Sequence, residues 1–230
     1  AVGAVELYSA PAVTRIQLGE WEARNRGCCL PEDYKALLAI SNGITVRWTL
    51  LFDGEERPFG VVHINALGQL QRLPEAALVG LAVPDPLGVG AAAASGPPQG
   101  GGGACGSSGA ARPGDGAQRR FLGAFDLDSE CGAGRVALVF WEEADGDLQT
   151  RGPQVWFQDL EGRWHFMAGS FADYFRLVAV HLGVPQWQYA FADAGLVPAA
   201  SHWLAFFCPD RLNVATAQSP AGRGRGAASS

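Results

Sequence analysis

Four carboxylates, Glu142, Glu143, Asp145 and Asp147, crowd into six positions and form the densest acidic run in the chain. Hard cations favour such oxygen ligands, but a calcium loop needs a defined ligand order, and the EF-hand pattern is missing. The run falls between two strand-like segments, so a solvated hairpin connection is the favoured reading. The cysteines, Cys28, Cys29, Cys105, Cys131 and Cys208, are odd in number and follow no repeating spacing. That suits reduced thiols better than a disulfide framework, and paired cysteines two residues apart with matching histidines, which would signal zinc, do not occur. His63, His165, His181 and His202 each lie in apolar sequence, where hydrogen-bonded packing is the expected role. A glycine run at 100–103 lacks the Gly-Lys-Ser/Thr ending that would supply a phosphate loop with its lysine and metal-binding hydroxyl. No nucleophile elbow, kinase signature or zinc-protease helix is present. The residues therefore offer no catalytic, cofactor or metal site to name.

The elements that would position any site are organised around Ser170 to Phe191. Phe171, Tyr174, Phe175, Val178 and Leu182 recur at helical spacing, with Leu177 and Val180 widening the stripe. Ser170 is placed to cap this helix, Asp173 to complete a capping box, and Gly183 to stop it in the left-handed conformation. Pro185 opens a second helix carrying Trp187, Gln188, Tyr189 and Phe191 as far as Gly195. Upstream, a short helix with Trp21 turned inward precedes one that starts at Pro31 and buries Tyr34, Leu37 and Leu38. Ile44, Val46, Trp48 and Leu50 alternate with polar residues as a half-buried strand, Asp53-Gly54 turns the chain, and Phe59 to Ile64 is a second strand. Asn65 is expected to cap a brief turn through Leu70. Four further strands are predicted over Phe121 to Leu127, Arg135 to Trp141, Gln154 to Leu160, and Arg163 to Met167. The order predicts an α+β fold, an antiparallel sheet of about six strands with N-terminal and C-terminal helices packed on it.

Composition sets the boundaries. A chain of 230 residues that is 48% hydrophobic can bury one substantial core. Residues 1–15 read as a flexible segment, 16–209 as a single domain, and 210–230 as a disordered tail, the GRGRG run at 222–226 included. Between Ala91 and Gly116 there is no Val, Leu, Ile or aromatic residue. Such a stretch cannot offset an ordering cost of about 1 to 2 kcal/mol per residue, so 84–118 is expected to be a disordered insertion. A net charge of -6 gives no global field toward nucleic acid or an anionic membrane. No apolar run is long enough to span a bilayer, and the first residues lack a signal-peptide pattern, so a cytosolic location is expected.

Three stretches carry a resemblance. HLGVPQWQYAFADAGLVPAASHWLAFFCP from His181 to Pro209, LPEDYKALLAISNGITVRW from Leu30 to Trp48, and VWFQDLEGRWHF from Val155 to Phe166 resemble the tubulin polyglutamylase complex subunit 2 family. The second is also similar to the wider SUKH-type superfamily, which implies a SUKH-like domain. The family resemblance implies a non-catalytic scaffold or positioning subunit that supports glutamate addition to tubulin tails by a separate ligase subunit. Its implied partners are the other subunits, with tubulin or microtubules reached indirectly, and its implied location is the cytoplasm and cytoskeleton, at microtubules or the centrosome or cilium base. The missing phosphate cradle agrees independently, since an ATP-dependent ligase must hold nucleotide phosphates and magnesium. A chain at -6 gains no attraction to acidic tubulin tails. A stand-alone protein-binding or immunity module of the SUKH type is the alternative, and a cryptic enzyme the second alternative.

The expected partner surface lies after the central helix. Trp187, Tyr189, Phe191, Trp203, Phe206 and Phe207 are more aromatic residues than a short helical pair normally hides beneath itself. Rigid rings bury much area at little entropic cost, which makes Trp187, Tyr189, Trp203 and Phe206 the candidate partner-binding residues.

Overall fold

A computed structural model describes residues 1–81, 120–142 and 152–207. The elements run β1 (Val2–Ser9), α1 (Arg15–Arg24), α2 (Glu32–Leu38), β2 (Ile44–Phe52), β3 (Glu55–Ile64), β4 (Arg120–Asp128), β5 (Gly134–Glu142), β6 (Gln154–Asp159), β7 (Trp164–Ala168), α3 (Phe171–His181) and α4 (Pro198–Phe207). Short 3-10 turns occupy Leu67–Gln69, Glu75–Leu78 and Trp187–Phe191. The fold is α+β, with the strands arranged as two antiparallel sheets in the orders β1-β2-β3 and β4-β5-β6-β7. The residue pattern predicts about six strands in one sheet, whereas the described residues form seven in two. The extra strand is β1, within residues 1–15 that were expected to be flexible, and it pairs along β2 from Val5 with Trp48 to Ser9 with Ile44.

Local sequence explains the hairpins. Asp53 and Gly54 both take positive φ, 53° and 78°, between the paired Phe52 and Glu55, which is the two-residue turn that matches strand twist. At the β6–β7 turn, Asp159 Oδ1 accepts from the amides of Glu161 and Arg163, both at 2.9 Å. In β5, Val136 through Phe140 are all buried, because the second sheet is covered on both faces. Val136, Leu138 and Phe157 face the helices, whereas Ala137, Val139 and Trp156 face Leu73 and the turn around Ala77 and Leu78. That covering segment is stitched to the edge of β4 by Leu73 N–H to the Ala124 carbonyl at 2.9 Å.

The main core joins both sheets to α1, α2 and α3. Trp21 of α1 lies 4.9 Å from Phe125 of β4, and Tyr34 of α2 lies 4.6 Å from Phe171 of α3. The first turn of α3 is capped from two sides: Ser170 Oγ accepts from Asp173 N at 3.1 Å, and Asp33 of α2 accepts from Ala172 N at 2.6 Å. Its buried face is Phe171, Tyr174, Val178 and His181. Leu182, expected in the apolar stripe, is instead the left-handed cap at φ 55°, and its side chain is exposed. The segment after Pro185 forms a 3-10 turn rather than a longer helix, entered through Gln186 at φ 65°.

Asn65 is not a helix cap. It is fully buried, and its amide nitrogen donates to the Asp126 carbonyl at 3.0 Å while its carbonyl oxygen accepts from Ser129 Oγ at 2.8 Å, locking the end of β3 to the β4–β5 turn. The Gly/Ala-rich insertion at 84–118 and the tail at 210–230 lie outside the described residues, as do Cys105, Cys208, Glu143, Asp145 and Asp147. Glu142 closes β5 and pairs with Arg120 at 3.4 Å. Cys28, Cys29 and Cys131 are free thiols.

Candidate functional site

The corner His181-Leu182-Gly183-Val184 positions the most exposed aromatic surface. Its backbone is pinned to the first sheet at two points: Trp48 Nε1 donates to the Leu182 carbonyl at 2.8 Å, and Val61 N–H donates to the Gly183 carbonyl at 3.0 Å. Glycine is needed there on two counts. Its φ is +63°, and a Cβ at Gly183 would stand 2.1 Å from the Val61 carbonyl oxygen. Gly60 in turn leaves room for the Trp48 indole, which a Cβ there would meet at 1.9 Å. The ring of Trp48, the side chain of Val184 and Leu204 of α4 form a small core of their own on this side of the first sheet.

Helix α4 packs on that core through a narrow stripe, Ala200 and Leu204, while its sequence carries more apolar side chains than the stripe can hide. Phe207 is half-buried against Trp48 at 5.1 Å, and Trp203 meets Phe59 at 4.7 Å and stacks on Phe207 at 6.1 Å. Trp203 remains 39% exposed and Phe206 74% exposed. Next to Phe207 opens a groove of 280 Å³ between β1, β2 and the end of α3, lined by Val2, Val5, Val46 and Leu182 among others. The exposed side chains of Val2, Val5 and Leu7 extend the apolar surface along β1.

The four rings expected at a partner surface therefore separate. Trp187 is 3% exposed and belongs to the main core, stacked on His181 at 4.7 Å. Tyr189 is half-buried with its ring 5.4 Å from Phe157. Trp203 and Phe206 share the surface of α4 with exposed His202. Residue pattern alone does not point to Val2 and Val5, which belong to a strand whose alternation is weak. Periodicity assigns Leu182 to the buried stripe, whereas its left-handed cap conformation turns it to the surface.

His63, His165 and Asp159 are held in structural hydrogen bonds. His63 Nε2 donates to Asn65 Oδ1 at 2.9 Å, and its Nδ1 is hydrogen-bonded with Thr45 Oγ1 at 2.7 Å. His165 donates to Asp159 Oδ2 at 3.0 Å inside the β6–β7 hairpin. Burial opposes the charge of Asp159, yet the bonds from His165 and from the amides of Arg163 and Glu161 hold it below its usual carboxylate range. Among the described residues, no group of three or more His, Cys, Asp or Glu side chains could hold a metal ion. No helix among them is long and apolar enough to cross a membrane.

No family model matches the chain, and no solved structure matches it. Among curated proteins it is similar to tubulin polyglutamylase complex subunit 2 of Rattus norvegicus, 30% identical over 223 residues that take in 90% of this chain and 69% of that protein. The Mus musculus protein of the same name gives the same identity and coverage. The Homo sapiens protein is 29% identical over 209 residues, covering 91% of this chain and 65% of its own length. At that identity across nine-tenths of its length, the chain belongs to the tubulin polyglutamylase complex subunit 2 family.

Proposed function

We propose that this chain is a non-catalytic subunit of a tubulin polyglutamylase complex, working in the cytoplasm at microtubules, that holds and positions a separate glutamate ligase. The observation that carries the reading is the surface of α4, where Trp203 and Phe206 stand out beside an apolar groove. Aromatic rings on a rigid, well-anchored helix suit the centre of a protein–protein contact, where one such anchor commonly contributes about 2 kcal/mol or more. The acid–base groups support the non-catalytic half of the reading, since His63, His165 and Asp159 are each engaged in holding strands or turns together. The net charge of -6 favours contact with protein surfaces over direct capture of an acidic tail.

Expression of the full chain together with a tubulin glutamate ligase, followed by purification on the chain, tests this. The expected result is stoichiometric recovery of the ligase, with glutamate added to tubulin by the pair and none by the chain alone in ATP and glutamate. Glutamylation by the chain alone, or purification of an active ligase complex from which the chain is missing, would overturn it.

A further inference from the structure

On the far side of the Gly183 corner, the β4–β5 turn and the turn after α3 border a half-open cavity of 330 Å³ at which Glu130, Gly132, Pro185 and Gln186 are exposed. The polar side chains on its wall are Asp128, Glu130, Cys131, Gln186 and Gln188, with no lysine, arginine or histidine among them. Gln188 is only 6% exposed, and its Oε1 is buried without a hydrogen-bond partner. An amide carbonyl left in that state is unfavourable until a donor reaches it. The partly buried Asp128 carboxylate accepts from Glu130 N at 3.0 Å and from the Cys131 amide. Burial above all, with the charges of Asp126 and Glu130 behind it, pushes its carboxyl up to about 7, as happens when an acid has no nearby cation. Glu130 is paired outward with Arg47 of β2 at 2.6 Å. Burial pushes the Cys131 thiol up to about 12, so it stays neutral and unreactive at this wall. Phe59, Val61 and Val184 supply apolar wall beside these acceptors.

We infer that this cavity receives an arginine side chain of a partner protein, its guanidinium donating to Asp128 and to Gln188 Oε1 while its methylenes lie along Val61 and Val184. A planar fork of five donors can serve two separate acceptors at once, and a long aliphatic stem suits the apolar part of the wall that Val61 and Val184 supply. Binding brings a counter-charge to a partly buried acid and a donor to a buried carbonyl, both on the wall of one cavity. The inference rests on the reading of the chain as an assembly subunit only for the source of the arginine. A small-molecule probe tests the cavity itself, so the two readings fail separately.

The probe is N-acetyl-arginine methylamide, titrated into the isotope-labelled full chain and followed by NMR at the Gln188 side-chain amide, with the neutral isostere N-acetyl-citrulline methylamide as comparison. The expected result is saturable shifts for the arginine probe, at least about tenfold weaker binding of the citrulline probe, and a loss of about tenfold in each of Asp128→Asn and Gln188→Met. Asp128→Asn keeps the shape of the side chain, and its thermal midpoint above neutral pH should equal or exceed that of the parent, which separates lost binding from lost folding. Equal binding of the two probes, undiminished binding by both variants, or no shift at Gln188 would overturn the inference.

Discussion

Replacing Trp187 and Trp203 singly by alanine separates interior from surface in the aromatic C-terminal region. An indole side chain presents about 200 Å² to water, and each Å² buried contributes about 25 cal/mol. With Trp187 at 3% exposure and Trp203 at 39%, the transfer contribution is at most about 5 kcal/mol for the first and about 3 kcal/mol for the second. Trp187→Ala also leaves an enclosed void between His181, Tyr174 and Phe191, whereas solvent fills the space left by Trp203. The expected losses are about 4 and about 2 kcal/mol, or about 8 to 16 °C and about 4 to 8 °C in thermal midpoint. Calorimetry of the two purified variants beside the parent gives both numbers in one series. Equal shifts, or a larger one for Trp203→Ala, would refute the assignment of Trp187 to the core and Trp203 to the surface.

Gly183→Ala should lower the urea midpoint by the equivalent of about 2 kcal/mol or more, because the left-handed backbone and the Val61 carbonyl at 2.1 Å both exclude a Cβ; an unchanged midpoint would contradict the docking of this corner. Asp128, with an ordinary carboxyl value of 3.8 when unfolded and about 7 when folded, binds its proton more tightly in the native state. Its contribution is therefore fully present below pH 4 and is lost as pH rises through about 7, with a slope of up to about 1.4 kcal/mol per pH unit between. Asp128→Asn should remove that slope when denaturation is compared between pH 5 and 8, and a slope identical to the parent's would show that other groups set it. Ser170→Ala should destabilise by about 1 kcal/mol through loss of the cap on Asp173 N, measured as the denaturant midpoint.

Much of this structure is legible in the residues, and the exceptions have physical causes. Helix α3 could be read because its cap, its stripe and its stop agree with one another, and the Asp53-Gly54 hairpin because its turn chemistry allows little else. Strand β1 escaped because its side chains are largely exposed, so burial imposes little alternation on its sequence. The division into two sheets follows from long-range pairing, which strand patterns do not encode, and the bond between Asn65 and Ser129 that ties the two sheets spans 64 positions. The four candidate rings illustrate the same limit. Trp187 and Trp203 look alike in sequence, and only the stacking of His181 on one and the open edge of α4 beside the other decides which is hidden. The Asp128–Gln188 cavity could not be read at all, since it brings a strand end together with a turn 60 positions later.

The claim that α4 presents a partner surface is tested most directly by Phe206→Asp, because Phe206 is 74% exposed and a charge there should leave the fold alone. The full chain carrying this change is co-expressed with a tubulin glutamate ligase, and both the thermal midpoint and the ligase recovered with it are measured. A midpoint within about 2 °C of the parent with ligase recovery reduced by about thirtyfold is the predicted result. Recovery of ligase at the parental level by a folded Phe206→Asp chain would contradict it.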